Sequence, residues 1–484
     1  MSDVSKKQFA SNSLWKFGEI ICCKLVSLII STILARLLMP EAYGVVALTT
    51  VFITFSDIFI LNGFNVALVR KETISEIDYS TVTTLSLCFS ACIYVILFLL
   101  APFISDFYKS PELCAVLRVI MLLLFFQAPA AVIRAYATRN LQFRKMSIAT
   151  IIGTISASII GLIMAFLGYG VWSLVMQQVL TNVFDLVLLV VVFKWKLSFK
   201  FKLNIAKEMI QFTVGVLGTS FLDFVGNNAN SLVIGKAYSS VDLGYYNRGN
   251  MYPETISLNM YNSITSVLLP TLASCQKDNE SMKHVVRKVL SVTVYIIFPM
   301  MFGLLSVADN FVRVLLTEKW MACVPILICA SLYYSINPVR AIGYNVFYAK
   351  GESNKCVRIE MFRSVIMIMN LLITIILLKK SIYVLTVVNV VIALLVAVIT
   401  QIMVRKSIGY SAREFCSDIL PSLIISTFMV LAVRIVTLLR FGTLKIFMIQ
   451  IVVGVMTYLI LSILSHNKSF LYLWDFIRIY IKKH

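Results

Sequence analysis

Apolar runs of helix length, separated by short polar or basic connections, fill most of the 484-residue chain. About 20 successive apolar residues are enough for a helix to cross the hydrocarbon core of a bilayer. On that measure the pattern predicts fourteen helices, near 14–38, 44–64, 81–104, 113–135, 147–167, 170–193, 209–235, 251–273, 288–308, 324–347, 359–378, 383–404, 419–438 and 444–465. The run at 251–273 fits least well, because Glu254, Asn259 and Asn262 interrupt it. The first run is long, carries Lys16, Glu19 and Lys24 and lacks a small-residue cleavage site, so no cleavable signal peptide is expected. The expected class is an all-α integral membrane protein.

One segment is written twice. Residues 34–44 read Leu34-Ala35-Arg36-Leu37-Leu38-Met39-Pro40-Glu41-Ala42-Tyr43-Gly44, and residues 234–244 read Ile234-Gly235-Lys236-Ala237-Tyr238-Ser239-Ser240-Val241-Asp242-Leu243-Gly244. Each copy has a small residue, a cation, a short turn with one carboxylate, and a glycine eight positions after the cation. The offset of 200 holds through the second helix of each half and drifts to about 209 where Pro129 aligns with Pro338. Two six-helix lobes follow, at 1–193 and 209–404, joined by the basic connection 194–208, with two further helices and a tail in 405–484. An even number of helices per lobe makes the repeat parallel, related by an axis along the membrane normal.

Composition agrees with the pattern. Hydrophobic residues are 60% of the chain and charged residues 14%, with a mean hydropathy of +0.90. A soluble chain of this length could not keep so much apolar surface from water. The net charge of +20 lies mostly in alternate connections, among them Arg139, Arg144 and Lys145, then Lys194 to Lys207, then Arg405, Lys406 and Arg413. This positive-inside asymmetry places both termini in the cytoplasm. It accounts for the charge through topology and attraction to lipid headgroups, without nucleic acid. The ten cysteines are scattered and read as unlinked thiols; the three histidines fall in connections, so neither a metal nor a cofactor is expected.

Polar stripes mark where chemistry belongs. Lys16, Glu19, Cys23, Lys24, Ser27 and Ser31 lie within roughly 140° of the first helix, and Asp223, Asn227, Asn230 and Ser231 line the seventh. Under the offset of 200 these stripes superpose, as do Thr50, Thr54 and Asp57 with Asn250, Glu254 and Ser257. An ionised side chain at mid-bilayer costs at least about 2.5–3.5 kcal/mol and should face water or a partner. A central polar cavity lined by helices one, two, seven and eight meets that need, with Lys24, Ser27, Ser31, Asp57, Asp223, Asn227, Asn230 and Glu254 as its candidate lining. Hydrogen-bonded helix packing is the competing account of the uncharged members. Arg340, after Pro338 in helix ten, is a further candidate. Arg118, Arg134, Asp185, Glu360, Arg363 and Arg434 sit in or beside spans, several near helix ends where snorkelling explains them.

At these residues the chain resembles the Wzx-type polysaccharide flippases, a branch of the multidrug/oligosaccharidyl-lipid/polysaccharide exporter superfamily. The resemblance runs through Leu34-Ala35-Arg36-Leu37-Leu38 with Pro40 and Gly44, Ala67-Leu68-Val69-Arg70-Lys71, Gln142-Phe143-Arg144-Lys145 and Gly168-Tyr169-Gly170-Val171-Trp172. It continues through Ile234-Gly235-Lys236, Leu243-Gly244-Tyr245-Tyr246, Leu269-Pro270 and Lys319-Trp320. Lys236 stands where such proteins often have Arg, and Glu318 where Gly commonly precedes Lys-Trp.

The resemblance implies two six-helix lobes around a polar or cationic cavity, and translocation of an undecaprenyl-pyrophosphate-linked oligosaccharide between leaflets of the bacterial inner membrane. Lys24 is the candidate contact for the pyrophosphate or an acidic sugar. Glu19, Asp57, Asp223 and Glu254 are the candidates for ion coupling. A polysaccharide polymerase and a chain-length regulator are the candidate protein partners. The rival readings are a multidrug/toxin antiporter of the same superfamily, which would favour acidic cavity residues, and a membrane-embedded polymerase, which would need a long outer loop with catalytic side chains.

Overall fold

A computed structural model describes the backbone of residues 3–63, 68, 74–196, 198, 200–374, 381–439 and 441–483. It describes their side chains except at 3–14, 17, 61–63, 208, 211–223, 225–227, 476–477 and 479–483. Among the described residues every regular element is a helix. They are α1 (Asp3–Leu37), α2 (Pro40–Asp57) running on into a π-helical turn (Ile58–Gly63), α3 (Glu76–Tyr108), α4 (Pro111–Ile120), α5 (Leu123–Arg139), α6 (Phe143–Phe166) and α7 (Val171–Phe193). Next come α8 (Leu203–Ala237), α9 (Ser240–Ser274), α10 (Asn279–Ser306), α11 (Ala308–Leu315), a 3-10 turn (Glu318–Cys323) and α12 (Val324–Ala349). The chain ends with α13 (Ser353–Leu372), α14 (Ile382–Ile408), α15 (Ala412–Val436), α16 (Thr443–Leu464) and α17 (Lys468–Lys483).

Helix starts follow local chemistry. Pro40 and Pro111 open α2 and α4, where a missing N–H costs nothing. Ser75 and Asp78 form a reciprocal cap on α3, as do Ser411 and Glu414 on α15. Between α6 and α7 the chain reverses over Gly168 and Gly170, both at positive φ, which a Cβ would oppose.

Eleven spans among the described residues are long and apolar enough to cross a bilayer, one of them joining α4 and α5. That span is broken at Met121–Leu122, so the single helix expected at 113–135 is two. Helices α8, α9 and α13 are not among these eleven; counting them as crossings would give the fourteen expected from the pattern. The expected tail after the last span contains a helix of its own, α17. It is too short and charged to read as a span, but Phe470 and Leu473 pack on Tyr295 and Tyr458.

The surface carries many large apolar side chains, and where helices pack closely the buried face is small. In α6 the buried face is Ser147, Ala149, Gly153, Ala157, Ser158 and Gly161, while Ile152, Ile159, Ile163 and Phe166 are exposed. A Cβ on Gly161 would come 2.8 Å from the Gln177 Cβ, so glycine sets the close packing of α6 on α7.

Contacts divide the chain into two compact units, 1–244 and 245–484. Within the first, α3 packs on α5, α5 on α7 and α6 on α7; within the second the same pairings recur as α10 on α12, α12 on α14 and α13 on α14. In the first unit the 194–208 connection is tied to α3, where Ser80 Oγ donates to the Ser198 and Lys200 carbonyls at 2.7 and 2.8 Å. In the second unit α15 is clamped to α10. Arg287 donates from Nε and Nη2 to the two oxygens of Asp418 at 2.8 and 3.0 Å, and Tyr410 donates to the same carboxylate at 2.7 Å. α16 follows, with Tyr458 donating to the Tyr295 carbonyl and Tyr295 to Ser462 Oγ.

Candidate functional site

The duplicated segment forms the joint between α1 and α2 and, in its second copy, between α8 and α9. The two copies meet inside the first unit. A methyl group on Gly44 would fall on the Ser240 carbonyl oxygen, and one on Gly244 would fall on the Pro40 carbonyl oxygen. Ser240 is the counterpart of Pro40 under the offset of 200, so the contact is reciprocal. The second cation has its own task. Lys236 Nζ donates to the Phe107 carbonyl at 2.6 Å and sits 3.9 Å above the Phe107 ring, at the carbonyl-rich end of α3 where a cation is favoured.

Along α1 the stripe splits. Lys24 and Ser27 are exposed and Ser31 is half-buried. Glu19 is 8% exposed and turned into the bundle, where it accepts from Lys16 at 2.7 Å and from Ser147 Oγ at 2.6 Å. Thr50 and Thr54 donate to carbonyls of their own helix. Asp57 is the last α-helical residue before the π turn, an insertion often found at functional positions. The Gln127 side chain of α5 reaches its carboxylate. Yet Asp57 Oδ1 and Gln127 Oε1 are both buried with no hydrogen-bond partner among the described residues. Each of these buried acceptors calls for a proton, a cation or a water.

The side chains of Asp223 and Asn227 lie outside the described residues, and Asn230 is half-buried on α8. In the second unit Glu254 is exposed on α9 with Tyr334 in reach of its carboxylate. Ser257, one turn on, accepts from Asn337 Nδ2 at 3.3 Å. Arg340 is held by Glu360 at 3.0 Å, and Glu360 also accepts from Arg363 Nε at 2.7 Å and Tyr344 at 2.8 Å.

Sequence reasoning set aside several charges as snorkelling side chains, and here the structure corrects it. Asp185 is 4% exposed and accepts from Arg134 at 2.7 Å and from Thr150 Oγ1 at 3.0 Å. Glu360 and Arg363 join Arg340 in one cluster. Their spacing of three on a helix was the available signal; nothing in the sequence paired them with a residue twenty positions earlier. Arg248, on α9, is buried, with the Tyr252 and Trp320 rings 5.7 and 5.8 Å from its guanidinium. The neighbouring Tyr245 donates to the Lys319 carbonyl at 3.1 Å, so two motifs far apart in sequence are contact partners in the second unit.

Comparison with known proteins places this geometry. The family model described as "Polysaccharide biosynthesis protein" matches residues 33–325. The succinoglycan biosynthesis transport protein ExoT of Rhizobium meliloti (strain 1021) is 26% identical over 295 residues, 61% of this chain and 60% of that protein, so the match spans less than two thirds of ExoT. The teichuronic acid biosynthesis protein TuaB of Bacillus subtilis (strain 168) is 24% identical over 351 residues, 72% of each chain. Among solved structures, the lipid II flippase MurJ in its inward closed conformation superposes with a TM-score of 0.69 at 16% identity, covering 95% of this chain and 99% of that one. That likeness is one of fold.

Proposed function

From a chain that belongs to the polysaccharide biosynthesis protein family and is built as a multi-span helical membrane protein, we propose the following reading. It is a flippase that moves undecaprenyl-pyrophosphate-linked oligosaccharide repeat units from the inner to the outer leaflet of the bacterial inner membrane. The product would feed O-antigen, capsule or exopolysaccharide assembly, and the mechanism is alternating access. The observation that carries the reading is the family match across residues 33–325, which spans the duplicated segment and the Lys319-Trp320 motif.

The polar faces support it. Lys24 and Ser27 are exposed more than a turn inside a membrane-crossing helix, where a lysine needs water or an anion beside it. The exposed Lys24 is the contact we assign to a pyrophosphate or an acidic sugar, whose attraction strengthens as the dielectric falls. Asp57, which keeps one buried oxygen without a partner among the described residues, is the coupling carboxylate we favour over Glu19, whose two oxygens are already taken. The lobes of the flippase are 1–193 and 209–404, both termini are cytoplasmic, and a polymerase and a chain-length regulator are the expected partners.

Deleting the gene tests the reading. Surface polysaccharide should be lost while lipid-linked repeat units accumulate in the inner membrane, and the wild-type chain should restore both. Loss of polysaccharide without completed lipid-linked units would place the chain at an earlier step and overturn the proposal.

A further inference from the structure

We infer that the second unit holds a binding site for a small anionic group, a carboxylate or an inorganic anion, between α12, α13 and α14, built on Arg340 and Arg363. Both arginines lie well inside their helices, nine residues before the end of α12 and ten after the start of α13. At such depth each charge needs a partner. The partner they have is shared: Glu360 Oε1 takes Arg340 and Glu360 Oε2 takes Arg363. One carboxylate between two guanidiniums leaves the cluster a unit positive.

The donors are also in excess. A guanidinium has five N–H groups. Among the described residues Arg340 commits one nitrogen, to Glu360, and Arg363 commits two, to Glu360 and to the Met367 sulfur at 3.2 Å. Both side chains remain partly open, at 24% and 16% exposure. What they open onto is a narrow cleft lined by Tyr333, Asn337, Arg340 and Arg363 against apolar Ile392 and Val396. Glu360 is not part of that lining, so two cations and no carboxylate face the cleft. Arginine forks suit carboxylates and similar anions. The cleft is far smaller than a pocket for a whole ligand, which limits the occupant to one small anionic group rather than a glycan.

That group has two sources, a free inorganic anion or the carboxylate of an acidic sugar, and one experiment separates them. The purified full-length chain is melted in detergent across titrations of sodium chloride and of sodium glucuronate. Wild type should show a saturable upward shift of roughly 2–5 °C with one of them. Saturation by chloride alone assigns an inorganic anion, and saturation at lower glucuronate concentration assigns the sugar carboxylate. Arg363→Gln should abolish the shift, and Arg340→Lys, which keeps the charge without the fork, should weaken it. Glu360→Gln removes the competing internal carboxylate and should tighten binding by about tenfold or more; a cluster with only a structural role would not gain affinity. If Arg363→Gln does not fold, Arg340→Lys decides. No saturable shift in wild type with either salt, or a shift unchanged by Arg340→Lys and Glu360→Gln, overturns the site. The inference goes beyond the transport reading and is tested apart from it, since a melting curve contains no transport step.

Discussion

Gly44 lies against the carbonyl oxygen of Ser240 with no room for one added carbon, and Gly244 lies the same way against Pro40. A segment written twice in the sequence is therefore folded onto its own copy. The glycine eight positions after each cation is the residue that allows the two backbones to touch.

Substitution at Gly44 is the first prediction. Overpacking costs about 1–3 kcal/mol, and here the obstacle is backbone, which cannot rotate away. Gly44→Ala should lower the melting temperature of the purified protein and reduce surface polysaccharide per inserted molecule. Gly18→Ala, where nothing lies within 4 Å of the new carbon, should leave both unchanged. Equal behaviour of the two variants would remove the contact from the account.

Asp57 and Gln127 give the second. If the unpartnered Asp57 oxygen holds a proton or cation during transport, Asp57→Asn should insert normally yet export at a rate that no longer responds to collapse of the ion gradient. Gln127→Leu, which removes one acceptor, should shift the gradient dependence without abolishing export. Full gradient sensitivity in a well-inserted Asp57→Asn variant would exclude this carboxylate from coupling.

Much of this was legible beforehand, and the reasons for the rest are physical. Apolar runs show helices because each must satisfy its backbone inside lipid, and the duplicated segment is visible because both copies keep a cation, a turn and a glycine. Pairings across helices leave no such trace. Arg134 with Asp185, and Arg340 with Glu360, are fixed by which helix faces pack, and periodicity does not say which faces those are. Tyr245 and Lys319 were recognisable as separate motifs but not as partners. The π turn after Asp57 and the docking of α17 through Phe470 depend on tertiary contacts that override local pattern.

The third prediction concerns pH at the connection between α12 and α13. Burial pushes the Glu352 carboxyl up, but hydrogen bonds from Ser407 and Lys355, at 2.7 and 2.9 Å, and the charges of Lys355 and Lys350 outweigh it and hold it below the usual carboxylate range. A depressed carboxylate stabilises the fold fully above its unfolded value, about 4.3, and that contribution is lost as pH falls through the lower folded value. Melting temperature should therefore drop on acidification below about pH 4, and Glu352→Gln should be less stable near neutrality with a shallower acid limb. An acid limb as steep in Glu352→Gln as in wild type would contradict this assignment.

Lys24 supplies the fourth. Contact with an anionic lipid-linked glycan predicts that Lys24→Arg retains substantial export, Lys24→Ala loses most of it, and Lys24→Glu is worse than Ala because it reverses the field. If Lys24 only neutralises a protein carboxylate, Lys24→Ala should instead strand that acid and lower the amount of inserted protein. Surface polysaccharide per unit of membrane-inserted protein distinguishes the two. Normal polysaccharide from a well-inserted Lys24→Glu variant would rule out substrate contact.

The measurement closest to the central claim is leaflet exchange in proteoliposomes. The purified chain is reconstituted with an undecaprenyl-pyrophosphate-linked repeat unit, and the glycan reaching the far leaflet is scored by a sugar-modifying enzyme confined to that side. The account predicts transfer with the wild-type chain, little with Lys24→Glu, and none in protein-free vesicles. Wild-type vesicles that hold the glycan in its starting leaflet, under an imposed ion gradient of either sign, would contradict it.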